Sequence, residues 1–158
     1  MTVSEIDRET PPLNSLFQQL ILEHYKSPRN RGTLNDPHVH IDMRNPSCGD
    51  EVHLQLRFDG DRVEDVAFEG VGCSISQASI SMMTQLLRGK SKDEALILAD
   101  RFTRMMHGDA EAARDKSLGD LRALAGVSKF PVRVKCALLG FNALEEAIRR
   151  QDGQPSNQ

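Results

Sequence analysis

Three cysteines, Cys48, Cys73 and Cys136, are the residues of this 158-residue chain best suited to chemistry. An odd number of thiols cannot be closed by internal disulfides alone, and a thiolate is both a nucleophile and a soft metal ligand. The spacing is not that of a CxxC pair, since 24 residues separate the first two cysteines and 62 the last two, so their neighbours carry the information. Gly49 follows Cys48, and Gly70 and Gly72 precede Cys73; glycine lets the backbone pass close to a bound atom and adopt positive φ. Asp50 stands two residues beyond Cys48, so a Cys-Gly-Asp unit can present a sulfur and a carboxylate oxygen to one centre. Three thiolates are one short of the tetrahedral set that zinc prefers. Asp50 and the five histidines compete for the fourth place. None of His24, His38, His40, His53 and His107 adjoins a cysteine, and all five read as surface or strand-face residues. The pairs Met82-Met83 and Met105-Met106 read as core packing. Lys129, Arg133 and Lys135 are either a solvated face or a basic rim beside Cys136.

The elements that position these thiols follow from the pattern of apolar residues. Leu16, Phe17, Leu20, Ile21 and Tyr25 recur at helical spacing within Leu13 to Lys26. Val39, Ile41 and Met43 alternate with polar residues, as do Val52, Leu54, Leu56 and Phe58; Asp59-Gly60 supplies a hairpin turn, and Val63 to Phe68 continues as a third strand with a bulge where the period slips between Val63 and Val66. Beyond Gly72 the pattern is helical. One helix is expected from Ile75 to Arg88, a second from the capping box Ser91-Lys92-Asp93-Glu94 to His107, two short pieces broken at Gly119, and a last helix from Pro131 to about Arg150. Cys48 then lies in the loop between the first two strands, Cys73 just before a helix, and Cys136 in the first turns of the last one. The order predicts an α+β fold: a three-stranded antiparallel sheet with helices packed on one face, an N-terminal helix and a helical C-terminal half. Residues 1–12 are expected to be a flexible arm, 13–150 one domain, and 151–158 a disordered tail.

Composition removes several functions. Twenty Lys+Arg against 23 Asp+Glu leave no basic stripe for nucleic acid or anionic lipid. No run of 18 apolar residues is present, and the first fourteen residues are polar and acidic, so neither a membrane span nor a secretory signal is expected; the expected location is cytoplasmic. A chain of this length folds without a metal staple, which makes any bound metal functional.

Four segments carry a resemblance. His24-Tyr25-Lys26-Ser27-Pro28-Arg29-Asn30-Arg31-Gly32, Asn45-Pro46-Ser47-Cys48-Gly49-Asp50, Gly70-Val71-Gly72-Cys73-Ser74-Ile75-Ser76-Gln77-Ala78-Ser79 and Val132-Arg133-Val134-Lys135-Cys136-Ala137-Leu138 resemble, in order, the motifs of the NifU N-terminal / IscU-like family. The chain looks most like the SufU branch. Scaffold members of the family carry His before the third cysteine, where Lys135 stands here, and lack the helical insertion of about residues 90–117. The resemblance implies a zinc-dependent sulfurtransferase. Zinc would be held by Cys48, Asp50, Cys73 and Cys136, Cys48 would accept persulfide sulfur from a SufS-type, PLP-dependent cysteine desulfurase, and the sulfur would pass to a downstream Fe–S assembly scaffold. Arg133 and Lys135 are candidates for anion or partner contact. The alternatives are a scaffold that builds a [2Fe–2S] cluster on the same ligands, and a structural zinc site without sulfur traffic.

Overall fold

The computed structural model describes residues 15–153. The expected arm at residues 1–12 and residues 154–158 of the expected tail lie outside them. Helix α1 (Ser15–Lys26) buries Ile21 and His24 and half-buries Phe17 and Leu20, a stripe at three- and four-residue spacing. Leu16 and Tyr25, expected on that stripe, are exposed. The inward place next to Tyr25 belongs to His24, which is fully buried because both ring nitrogens are bonded: Nδ1 lies 2.7 Å from Ser81 Oγ and Nε2 2.9 Å from Asp120 Oδ2. A buried polar ring with two partners is compatible with a core position, and here it ties three elements together.

Strands β1 (Val39–Asn45), β2 (Asp50–Asp59) and β3 (Arg62–Val71) form an antiparallel sheet in the order β1-β2-β3. Asp42 lies opposite His53, and Asn45 opposite Asp50. The register between β2 and β3 shifts at Arg57/Phe58, where Val63 and Asp65 face successive β2 residues and Glu64 is the extra one, which places the expected bulge. Alternation puts Asp50, Val52, Leu54, Leu56 and Phe58 on the face covered by helices and Glu51, His53, Gln55 and Arg57 on the other.

Helix α2 (Ser74–Leu87) crosses the centre of the molecule and is buried on nearly every side, including Ser76, Gln77, Ser79, Ser81 and Thr84. Such a helix needs its polar groups paired; Ser79 Oγ, for example, donates to the Ala137 carbonyl at 2.7 Å. Helix α3 (Lys92–Met106) opens on the expected capping box at Ser91 and Glu94. After the short α4 (Ala110–Ala113) comes a 3₁₀ segment, Lys116–Lys129, interrupted at Gly119 (φ 53°, ψ −130°) where the break was expected. Helix α5 (Pro131–Gln151) begins with proline in its first turn and ends one residue beyond the expected limit, and Lys92 Nζ reaches Asp152 at 2.8 Å in the turn that follows. Phe102 of α3 stacks on Phe141 of α5 at 4.5 Å, so the 90–117 segment contributes to the main core rather than looping away from it. All four methionines of the two pairs are buried in that core, as expected. Gly140 lets α5 approach α2 closely, since a Cβ there would lie 2.7 Å from Ile80 Cγ1. No helix among the described residues is long and apolar enough to cross a membrane.

Candidate metal centre

The turn between β1 and β2, the start of α2 and the first turns of α5 meet at one end of the sheet. Cys48 sits in that turn, whose Cys48 and Gly49 N–H groups donate to the Asn45 carbonyl at 3.3 and 2.9 Å; Gly49 adopts φ 72°. Asp50 begins β2 in the phase of the strand that faces the helices, and it is fully buried. Cys73 is the N-cap of α2, its sulfur accepting the Ser76 N–H at 3.5 Å. Cys136, also fully buried, lies one helical turn into α5 with its thiol 3.6 Å from the Val132 carbonyl.

These side chains converge on the Asp50 carboxylate. Cys48 Sγ lies 2.9 Å from Oδ2 and Cys73 Sγ 3.7 Å from the same oxygen, while the Cys73 N–H donates to Oδ1 at 2.9 Å. Cys136 Sγ is 3.0 Å from Cys48 Sγ. The ligand atoms of Cys48, Asp50 and Cys136 lie within 4.8 Å of one another, with Cys73 joining through Asp50. Gly72 makes the approach possible: its φ is +154°, and a Cβ there would collide with Asp50 Oδ1 and Ser76 Oγ. Gly70 serves the same end, as a Cβ on it would stand 2.5 Å from the Glu51 carbonyl oxygen.

The electrostatics call for a cation. Burial works to raise the Asp50 pKa, but hydrogen bonds from Cys48, the Cys73 N–H, Cys136 and Cys73 carry it below the usual carboxylate value, leaving a buried anion. Among the described residues its hydrogen-bond partners are thiols and one N–H, with no Lys, Arg or His. Uncompensated buried charge is costly unless a counter-ion or metal meets it. Burial, then the neighbouring Cys48 thiol and the Asp50 carboxylate, push the Cys136 thiol far above its ordinary value, a shift that a bound divalent cation reverses. The donor set suits zinc. Zn–S bonds of about 2.3 Å and Zn–O bonds of about 2.0–2.2 Å give tetrahedron edges of roughly 3.5–3.8 Å, so the Cys48–Asp50 and Cys48–Cys136 contacts must open by about 0.7 Å and Cys73, outside the 4.8 Å group, must draw in to complete the set.

A pH dependence follows for protein stripped of metal. The folded Cys136 keeps its proton at pH values where the unfolded thiol, near pKa 8.5, has lost it, so the stability this contributes is complete below that value and is lost as pH rises above it. Thermal melts of metal-free protein are expected to fall in Tm between about pH 8.5 and 10, and those of zinc-loaded protein to fall less.

The structure brings together all four residues expected to bind metal. Arg133 and Lys135 stand exposed at the start of α5, without an ion pair among the described residues. Lys135 lines a groove with Met43, Arg44, Asn45 and Pro46, beside the turn that carries Cys48, whereas nothing directs Arg133 to the sulfurs. Among the described residues no histidine joins the ligand atoms around Asp50. Ser76 and Gln77 were not singled out by the sequence: Ser76 bonds both the Cys73 sulfur and, through Oγ, the Cys73 carbonyl at 3.1 Å, and Gln77 Nε2 donates to Ser76 Oγ at 3.1 Å. Their positions three and four residues after an N-cap cysteine were the available signal.

Residues 16–151 match the model of the NifU-like N terminal domain family. The zinc-dependent sulfurtransferase SufU of Bacillus subtilis (strain 168) is 52% identical over 141 residues, covering 89% of this chain and 95% of that protein. The iron–sulfur cluster assembly scaffold protein IscU of Streptococcus pyogenes serotype M1 is 49% identical over 138 residues, with 87% and 86% covered. A crystal structure described as an iron–sulfur cluster assembly scaffold protein for the SUF system, from Fervidobacterium islandicum AW-1, superposes with a TM-score of 0.76 at 39% identity, covering 82% of this chain and 94% of that one. This chain belongs to the NifU-like N terminal domain family.

Proposed function

We propose that this member of the NifU-like family is a zinc-dependent sulfurtransferase of iron–sulfur cluster assembly, with zinc held by Cys48, Asp50, Cys73 and Cys136 and with Cys48 as the sulfur acceptor. The observation that carries the proposal is the fully buried Asp50 carboxylate ringed by thiols, without a basic partner among the described residues. The 52% identity to the Bacillus protein named a zinc-dependent sulfurtransferase supports it. Zinc bound there keeps its sulfur ligands deprotonated at neutral pH and takes no part in redox chemistry.

The three thiols are not equivalent. Cys136 is fully buried within a helix, and Cys73 is held twice, by the Ser76 N–H at its sulfur and by Asp50 at its own N–H. Cys48 is part-exposed like Cys73 and its sulfur contacts Asp50 and Cys136, but it sits in a tight turn between exposed Ser47 and Gly49 rather than at a helix cap, so it is the sulfur whose backbone best allows it to swing toward a partner. Its thiolate attacks the terminal sulfur of a persulfide on the donor cysteine. The donor S–S bond breaks as the bond to Cys48 forms, the donor cysteine leaves as a thiolate, and no electrons are gained or lost overall. Val71, Phe130 and Val132 are exposed apolar residues flanking Cys73 and the start of α5, which suits a protein partner rather than a small thiol. The partner proposed is a SufS-type, PLP-dependent cysteine desulfurase in the cytoplasm, and the onward acceptor an Fe–S assembly scaffold. Lys135, beside the Cys48 turn, and Arg133 are proposed to meet acidic groups of that partner or the anionic persulfide.

A scaffold role on the same four ligands has the Streptococcus relative in its favour. The two separate on metal content and sulfur flow. Purified protein is expected to carry about one zinc per chain and to stimulate a cysteine desulfurase, and stripping the metal with a chelator is expected to abolish stimulation until zinc is restored. A stable cluster assembled anaerobically at this site and passed to an apo-ferredoxin, with zinc inhibiting, would favour the scaffold instead.

A further inference from the structure

The sheet face that no described helix covers carries a second group of metal-ligating atoms. His40 and Asp42 lie two apart on β1 and so share a face, and the strand register sets His53 directly opposite Asp42. Both imidazoles converge on one carboxylate oxygen: His40 Nε2 is 2.9 Å and His53 Nδ1 2.6 Å from Asp42 Oδ1. The three ligand atoms lie within 4.8 Å of one another. On the far side of the His53 ring, Glu51 Oε2 stands 3.6 Å from Nε2, and Arg44 closes on Glu51 Oε1 at 2.7 Å. Strand alternation separates this group from the cysteine centre, because Asp50 points to the helix-covered face and Glu51 and His53 to the open one.

We propose that His40 Nε2, Asp42 Oδ1 and His53 Nδ1 form a second, solvent-open site for a divalent transition metal, with water completing its coordination. Two imidazoles and one carboxylate favour zinc, cobalt, nickel or copper over magnesium or calcium, which prefer all-oxygen surroundings. Bond lengths of about 2.0–2.2 Å to nitrogen and oxygen put tetrahedral neighbours roughly 3.4 Å apart. The His40 and His53 contacts to Asp42, 2.9 and 2.6 Å, must therefore open by about 0.5 and 0.8 Å to admit an ion, within reach of side chains that are about half exposed. A metal on His53 Nδ1 leaves the ring proton on Nε2, the nitrogen that faces Glu51. Glu51, at 3.6 Å an ion-pair neighbour rather than a hydrogen-bond partner, is placed to act as a positioning residue for that tautomer once it closes on Nε2–H, an arrangement common behind metal-bound histidines. Arg44 balances the Glu51 charge, so Asp42 is the anion left to meet the metal.

The test uses the full chain with its cysteine centre already filled with zinc, titrated with cobalt(II) and followed by calorimetry and absorption. The site predicts one further equivalent of cobalt per chain, with weak visible bands and no thiolate-to-cobalt charge transfer. His40→Ala, His53→Ala and Asp42→Ala are each expected to weaken that equivalent at least about tenfold while the bound zinc stays at the wild-type level, which also shows that the variants fold. Glu51→Gln is expected to weaken it about tenfold and to shift the His53 tautomer populations seen by ¹⁵N NMR. No cobalt bound below millimolar concentration, binding unchanged in His53→Ala, or cobalt appearing only with thiolate charge transfer would each overturn the proposal.

Discussion

Cys48→Ala is expected to lower sulfur transfer from a cysteine desulfurase by on the order of a hundredfold or more while leaving the fold intact, because it deletes the attacking atom and not a core side chain. Cys48 lies in the β1–β2 turn and is only part-buried, outside the contiguous core of sheet and helix residues. Cys73→Ala is the informative companion. It removes another ligand of the same centre but leaves the part-exposed sulfur of the turn in place. A sulfur whose role ends at holding metal makes the two variants fail alike, in proportion to lost zinc. An acceptor makes Cys48→Ala inactive per zinc bound, with Cys73→Ala retaining transfer in whatever fraction of chains keeps the metal. Desulfurase assays normalised to zinc content distinguish the two outcomes.

Gly72→Ala is expected to damage the metal centre from outside its ligand set. The residue holds φ +154°, a conformation that costs an L side chain about 1–3 kcal/mol. Its new methyl group would also collide with Asp50 Oδ1 and stand 2.8 Å from Ser76 Oγ, so the carboxylate must leave the Cys73 N–H that holds it at 2.9 Å. A displaced ligand and a broken positioning bond together weaken zinc binding by roughly 10–100-fold. Gly89→Ala separates collision from backbone strain, because Gly89 also has positive φ, +84°, yet a Cβ there meets nothing within 4 Å. Both variants lose stability. Only Gly72→Ala is expected to lose its zinc to a competing chelator, and equal retention by the two would show that the Asp50 contact is not what Gly72 protects.

Local sequence carried much of this centre, and distance along the chain hid the rest. The sequence pattern leaves Asp50 in the loop with Cys48, whereas in the structure the alternation of Val52, Leu54, Leu56 and Phe58 extends backward to it and puts its carboxylate on the buried side of β2. Gly70 and Gly72 before Cys73, with the helical pattern that begins at Ile75, marked a helix start that presents a thiol. The meeting of the turn, the α2 N-terminus and α5 was legible only through the family resemblance, since nothing in residues 48–73 or 73–136 states how long connections close. On α1 the periodicity expected Leu16 and Tyr25 inside, but inward-facing His24 has two partners that lie 57 and 96 residues away. The His40/Asp42/His53 group was missed for a related reason. Each histidine reads singly as a strand-face residue, and only the β1–β2 register, pinned by the turn that carries Cys48, sets them around one oxygen. Gly140, which the apolar pattern of α5 does not single out, is the contact that lets α5 lie against Ile80.

The most direct measurement of the central claim is where sulfur lands. Zinc-loaded protein is incubated with a cysteine desulfurase and cysteine, alkylated, digested and mapped by mass spectrometry. An added sulfur is expected on Cys48 and not on Cys73 or Cys136, and it should disappear when cysteine is omitted or metal is removed. Sulfur on Cys73 or Cys136, or on none of the three while the desulfurase turns over at its stimulated rate, would contradict the assignment of Cys48 as acceptor.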